Sequence, residues 1–165
     1  MPSFSIVLLL ALSTLLCGCP YESGVPLEQT SSVTINDDLL GSWHKSNYPS
    51  DLTTITFEKR NETEYIIKAI ISNKKKEYTH YFFTGFFSNV KDGMMLNVKN
   101  DKGKYYIVAV WLEDGRLSLK ALSKEITTKK FNSPDEIRNF VETIYSNGTV
   151  KYDSDTELND LQKTD

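Results

Sequence analysis

Cysteine is almost absent from this chain: 165 residues hold only Cys17 and Cys19, both near the N-terminus. Beyond Cys19 there is no thiol. That excludes a disulfide framework, a thiol nucleophile and a thiolate metal site in the body of the protein. Histidine is equally scarce: His44 and His80 stand in separate segments, with no H-x-H or H-E-x-x-H spacing, so a metal site lacks its ligands. No G-x-S-x-G, no phosphate-cradling glycine loop and no G-x-G-x-x-G motif occurs. These absences predict no catalytic residue, no metal and no cofactor, and a protein that is not an enzyme. Paired acids such as Glu113-Asp114 read as solvated hairpin-turn residues. Strong basic charge is also missing. Net charge is −3, and the last thirteen residues carry five acids against Lys163 alone. The rest is near neutral, which excludes the basic footprint of a nucleic-acid binder. The single run of three basic residues, Lys74 to Lys76, reads as a solvated turn.

A long hydrophobic run is lacking too. The longest, Phe4 to Leu16, is broken only by Ser5, Ser13 and Thr14. It falls short of the roughly 20 residues a transmembrane helix needs, and it has the length of a signal-peptide core. Small and turn-forming residues follow: Cys17, Gly18, Cys19, Pro20. The run has no polar face, so it does not read as an amphipathic core helix.

Leu16-Cys17-Gly18-Cys19 resembles the lipobox of bacterial lipoproteins, with an aliphatic residue at −3, a small residue at −1 and the cysteine that becomes the first mature residue. The resemblance implies lipid attachment at Cys19, because Cys17 has Leu16 at −1, where the family carries a small residue. It implies residues 1–18 as signal peptide and a cell-envelope protein anchored to a membrane by N-terminal acyl chains. Pro20 in place of Asp after the cysteine resembles the class sorted to the outer membrane of a diderm cell. The segment Met1-Pro2-Ser3 departs from the pattern by having no Lys or Arg.

Residues 19–37 are rich in Ser, Thr, Glu, Pro and Gly, which predicts a flexible tether. Residues 38–152 form the folded domain. From Leu40 to Leu122, short β-prone segments alternate with turn signals at Asn61-Glu62-Thr63, Asn73 to Lys76, Lys91-Asp92-Gly93, Asn100 to Gly103 and Glu113-Asp114-Gly115. Gly85 is read as a bend that divides the aromatic run Tyr78–Phe87 into two strands, which brings the count to about eight. No loop between them is long enough for a helical crossover, so the sheet is predicted to be an antiparallel up-and-down meander. Ser133-Pro134-Asp135-Glu136 is a capping box opening a helix at about 134–146. Ile137, Phe140, Val141, Ile144 and Tyr145 form its one apolar face. Residues 153–165 read as a disordered acidic tail.

Gly41-Ser42-Trp43, at the start of a mainly β meander that ends in one C-terminal α-helix, is similar to the G-x-W signature of lipocalins and lipocalin-like proteins. The resemblance implies a small lipocalin-like barrel in which Trp43 closes one end, near a basic side chain from the last strand. Arg116 and Arg138 are the candidates for that side chain. A tryptophan here equally suits the core of any small barrel. The family's T-D-Y-like second motif is missing.

The candidate binding surface is the aromatic run: Tyr78, His80, Tyr81, Phe82, Phe83, Phe86 and Phe87. Both of its faces are bulky, so one faces the barrel interior and the other is covered by the helix or used for a partner. Two functions stand at this point. One is a lipid-anchored module that binds a small apolar ligand or a peptide. The other is a structural lipoprotein that docks on an envelope assembly or inhibits a secreted factor. An apolar void inside the barrel favours the first; a filled interior with an exposed aromatic patch favours the second.

Overall fold

Alternation of apolar and polar side chains over five to nine residues makes one face of each segment buriable and the other wettable. The computed structural model describes residues 19–45, 53–72, 77–91 and 93–164. There the strands are β1 (Glu22–Ser23), β2 (Gly41–His44), β3 (Thr53–Lys59), β4 (Tyr65–Ser72), β5 (Tyr78–Val90), β6 (Gly93–Lys99), β7 (Tyr105–Glu113), β8 (Arg116–Ala121) and β9 (Leu158–Thr164). One helix, α1 (Pro134–Ser146), lies between β8 and β9. Each strand from β2 to β9 pairs antiparallel with the next, and β9 returns to pair with β2. The result is a closed eight-stranded barrel. The extra strand β1 lies against the first residues of β7. Lys74 to Lys76 and the signal-like segment 1–18 lie outside the described residues.

The eight strands are not the eight read from the sequence. β5 runs unbroken for 13 residues. Gly85 does not split it but marks where it changes partner: Tyr78 to Gly85 pair with β4, and Thr84 to Val90 pair with β6. A methyl group on Gly85 would lie 2.8 Å from Ile67 Cδ1 and 3.0 Å from the Asn97 carbonyl oxygen. Glycine gives room for this close approach of neighbouring strands.

The eighth strand comes from the segment read as a disordered tail. A sheet of β2 to β8 would leave two unpaired edges, and β9 hydrogen-bonds to both. Every non-proline residue carries a backbone donor and acceptor, so the polar side chains of this segment do not prevent pairing. Asp153 begins this return: buried, it accepts from the Asp155 N–H at 3.2 Å and from the Thr156 hydroxyl at 3.2 Å. Asp160 has φ +56°, and the β8–β9 register slips between Leu117 and Leu119. Leu161 and Leu158 therefore both join the barrel core although they are three residues apart.

The segment read as a flexible tether is packed instead. Tyr21, Ser23 and Leu27 are buried. The Leu27 N–H donates to Asn97 Oδ1 at 2.8 Å, and Asn97 Nδ2 donates to the Phe86 carbonyl and to Ser88. Each of the few apolar residues here has its own slot, so low apolar content does not leave the segment loose. Val33, Ile35 and Leu40 pack against the barrel core. The Ile35 N–H bonds the Glu62 carbonyl beside the β3–β4 turn, so this stretch seals one end.

α1 forms with Ser133 as its N-cap, and Glu136 reaches back one residue beyond it. The Ser133 hydroxyl accepts from the Glu136 N–H, and Glu136 Oε2 accepts from the Asn132 N–H. Ile137, Val141 and Ile144 are buried. Ile137 and Val141 share a second core with Val90, Met95, Ile107 and Ala109 on the outside of the barrel. The protein thus has one core within the barrel and another beneath the helix.

Candidate functional site: an apolar cavity in the open end of the barrel

Side chains 55 and 57, 67 and 69, 81 and 83, 96 and 98, 106 and 108, and 119 and 121 point into the barrel. Toward the sealed end they fill it. Phe57, Tyr65 and Phe87 meet edge to face, with centroids 5.8 and 5.9 Å apart. Such pairs add about 0.5–1.5 kcal/mol beyond their buried area. The Tyr65 hydroxyl accepts the Asn36 N–H at 2.5 Å, and burial raises its phenol pKa. Trp43 is buried, and its Nε1 donates to the Leu39 carbonyl at 2.8 Å. Lys163 Nζ stands 5.5 Å from the Trp43 ring centre and donates to the Asp38 carbonyl.

Neither Arg116 nor Arg138 reaches Trp43. Arg116 is exposed at the start of β8. Arg138 is paired with Glu28 and donates to the Leu27 and Asn89 carbonyls. The basic residue on the tryptophan is Lys163, on a strand whose sequence reads as a tail.

Toward the other end the interior is not filled. A cavity of about 340 Å³ opens there, within the range of small-molecule sites, about 300–1,000 Å³. Two of its inward positions hold alanine, Ala69 and Ala121. Beyond Thr84, the β5 residues 78–83 have no β6 partner, because β6 ends at Lys99 opposite Thr84. The β4–β5 hairpin therefore projects past the wall on that side. The lining is almost wholly apolar, with Phe83, Val98 and Leu119 among its members. Its polar side chains among the described residues are Thr156, Tyr81 and Tyr106. The Tyr106 hydroxyl donates to Glu22 at 2.8 Å, and burial is the main cause of its raised pKa. Among the described residues, no charged side chain lines the cavity.

The seven aromatic-run residues do not make one surface. Tyr81 and Phe83 line the cavity. Phe87 packs in the sealed end. Phe86 faces outward but is buried, and the exposed outer face is left to Tyr78, His80 and Phe82. Covering and exposure, read from the sequence as alternatives, divide this strand between them at Thr84.

Cys19 is exposed, and its carbonyl accepts from the Lys124 N–H at 3.1 Å. Pro20, the next residue, bridges to Ser123 and lines the cavity. His44 and His80 lie on separate strands. Among the described residues no three His, Cys, Asp or Glu side chains converge as a metal site, and no helix is long and apolar enough to cross a membrane.

Two further recesses exist among the described residues. A groove of about 420 Å³ between α1 and the sheet is lined in part by Lys91, Trp111 and Ser146. A recess of about 250 Å³ lies beside Val33 and Leu39 at the sealed end. Neither has the apolar continuity of the barrel cavity. Compared with protein-family models, with curated proteins and with solved structures, the chain matches none.

Proposed function

We propose that this chain is a lipid-anchored protein of the bacterial cell envelope whose lipocalin-like barrel binds a small apolar ligand. The observation that carries the binding half is the apolar cavity of about 340 Å³ open at one end of the barrel. Water inside has few partners, because an ordered water needs two to four polar groups. An apolar chain pays no such cost: eight buried methylenes contribute about 6 kcal/mol, which corresponds to a Kd on the order of tens of micromolar before ordering costs. The lipocalin-like part is supported by the G-x-W tryptophan, Trp43, with Lys163 of the last strand over its ring. The anchoring half rests on the lipobox resemblance at Leu16 to Cys19 and on the exposure of Cys19. Pro20 after that cysteine supports sorting to the outer membrane if the cell is diderm. The reading involves no reaction, cofactor or nucleic acid.

Two mass measurements test it. The intact protein from its own membranes carries acyl mass on Cys19, and Cys19→Ser loses it; an unmodified Cys19 in the membrane fraction rejects the anchor. Native mass spectrometry finds one apolar molecule held non-covalently per chain, and a consistently empty barrel rejects the ligand. A second reading, docking on an envelope protein, is favoured by Phe82 and Tyr78, which are 64% and 58% exposed on the part of β5 that pairs with β4 but not with β6.

A further inference from the structure

We propose that the open mouth of the barrel is a docking surface for the lipid bilayer, and that the cavity takes an acyl chain from that bilayer. This rests on the lipid-anchored reading of Cys19. Cys19 stands beside the mouth: its carbonyl is bonded to Lys124, and Pro20 is part of the cavity wall. From Tyr21 onward the chain is packed on the barrel, so no slack separates an acylated Cys19 from the cavity rim. Consecutive Cα atoms are about 3.8 Å apart, so acyl chains on Cys19 bring the mouth to the membrane surface.

The rim itself suits that position. Of the six large hydrophobic side chains exposed among the described residues, four (Ile71, Tyr78, Tyr81 and Phe82) belong to the β4–β5 hairpin. Ile71 and Tyr81 line the same cavity as Pro20. Tyrosine suits the level where headgroups meet acyl chains, its ring apolar and its hydroxyl wet. The turns of the opposite end expose Arg60, Glu62, Glu113 and Asp114. The exposed large apolar side chains thus gather at the end where Cys19 stands, beside the exposed Asp101–Lys104 turn that shares it.

The cavity selects its occupant by the same chemistry. Among the described residues its lining offers no cation to a carboxylate or phosphate, so a headgroup stays at the mouth while the chain enters. A phospholipid and a free fatty acid share that chemistry.

The test uses the full chain with its N-terminal lipid, placed in phosphatidylcholine–phosphatidylglycerol vesicles whose acyl chains are brominated. Phe82→Trp and Asp114→Trp report the two ends, read against the wild-type signal from Trp43 and Trp111. Side chains of an interfacial element sit roughly 5–10 Å into the headgroup–acyl boundary. The indole at position 82 is accordingly quenched by more than about two-fold, and the one at position 114 is unchanged. Equal quenching at both positions, or none at 82, with acylated Cys19 confirmed by mass, overturns the docking orientation and leaves the anchor standing. Absence of acyl mass is the separate failure of the anchor, and with it of the inference. Lipid extracted from the recovered protein distinguishes the sources. One phospholipid or one fatty acid per chain, lost in Ala121→Phe, supports the acyl cargo. No bound lipid in the wild type, or equal amounts in both proteins, overturns it.

Discussion

At the sealed end of the barrel, Trp43, Phe57, Tyr65 and Phe87 fill the interior and the segment 33–40 packs across it. At the open end, Ala69 and Ala121 occupy inward positions on neighbouring levels and leave about 340 Å³ unfilled. The strands are the same and the alternation is the same; side-chain volume, the length of β6 and the covering segment 33–40 differ. The comparison teaches that the packed support and the proposed binding cavity are stacked along one barrel axis. Substitutions at the sealed end should cost stability, and those at the open end should alter what the cavity admits.

The largest effect tests whether closure holds both ends together. A chain ending before Leu158 lacks β9 and leaves β2 and β8 as free edges. With total stabilities of about 5–15 kcal/mol for such domains, this loss should abolish cooperative unfolding, as seen by urea titration with circular dichroism. A sharp transition in the truncated protein would show that the barrel does not depend on its last strand. Next comes Trp43→Ala, which empties a buried site and removes the partner of Lys163. The expected loss is about 3–5 kcal/mol, read as a fall in the urea midpoint.

Asn97→Ala is smaller and concerns the N-terminal segment. It strands the buried Leu27 N–H and the Ser88 hydroxyl, costing about 1–3 kcal/mol. Amide exchange should rise at Leu27 and not at Tyr65; uniform protection at both would mean that the segment is held by other contacts.

The smallest effect is a dependence on pH. Burial raises the phenol pKa of Tyr21, Tyr65 and Tyr145, and Tyr145 also shares a hydrogen bond of 2.7 Å with the Tyr152 hydroxyl. The folded state then keeps protons that the unfolded chain releases near pH 10. Their stabilising contribution is fully present below about pH 10 and is lost as pH rises toward the folded values. Tyr145→Phe should flatten the alkaline decline in stability between pH 10 and the onset of unfolding. An unchanged slope would remove Tyr145 from the account.

Much of the barrel was legible because its signals are local. The Asn100 turn, the alternation of Met94, Leu96 and Val98, and the Ser133 capping box depend on neighbours in sequence. What was not legible depends on closure. β9 has only Leu158 and Leu161 as apolar residues, and the slip at Asp160 breaks their alternation, so neither composition nor periodicity marks it as a strand. Lys163 was missed with it. The anchoring of Leu27 requires a buried Asn97 seventy residues away. The aromatic run was visible, but its division depends on where β6 stops. The cavity has no sequence signal of its own: it appears only when Ala69 and Ala121 are placed around a closed ring.

The central claim is that the open end is a binding site and the sealed end its support. The most direct test titrates a neutral naphthylamine probe into the full-length wild type and into Ala121→Phe, with urea stability measured alongside. The account predicts saturable binding to the wild type, weakened more than about ten-fold in the variant, while stability changes by less than about 1.5 kcal/mol. Equal probe affinity in the two proteins would contradict it.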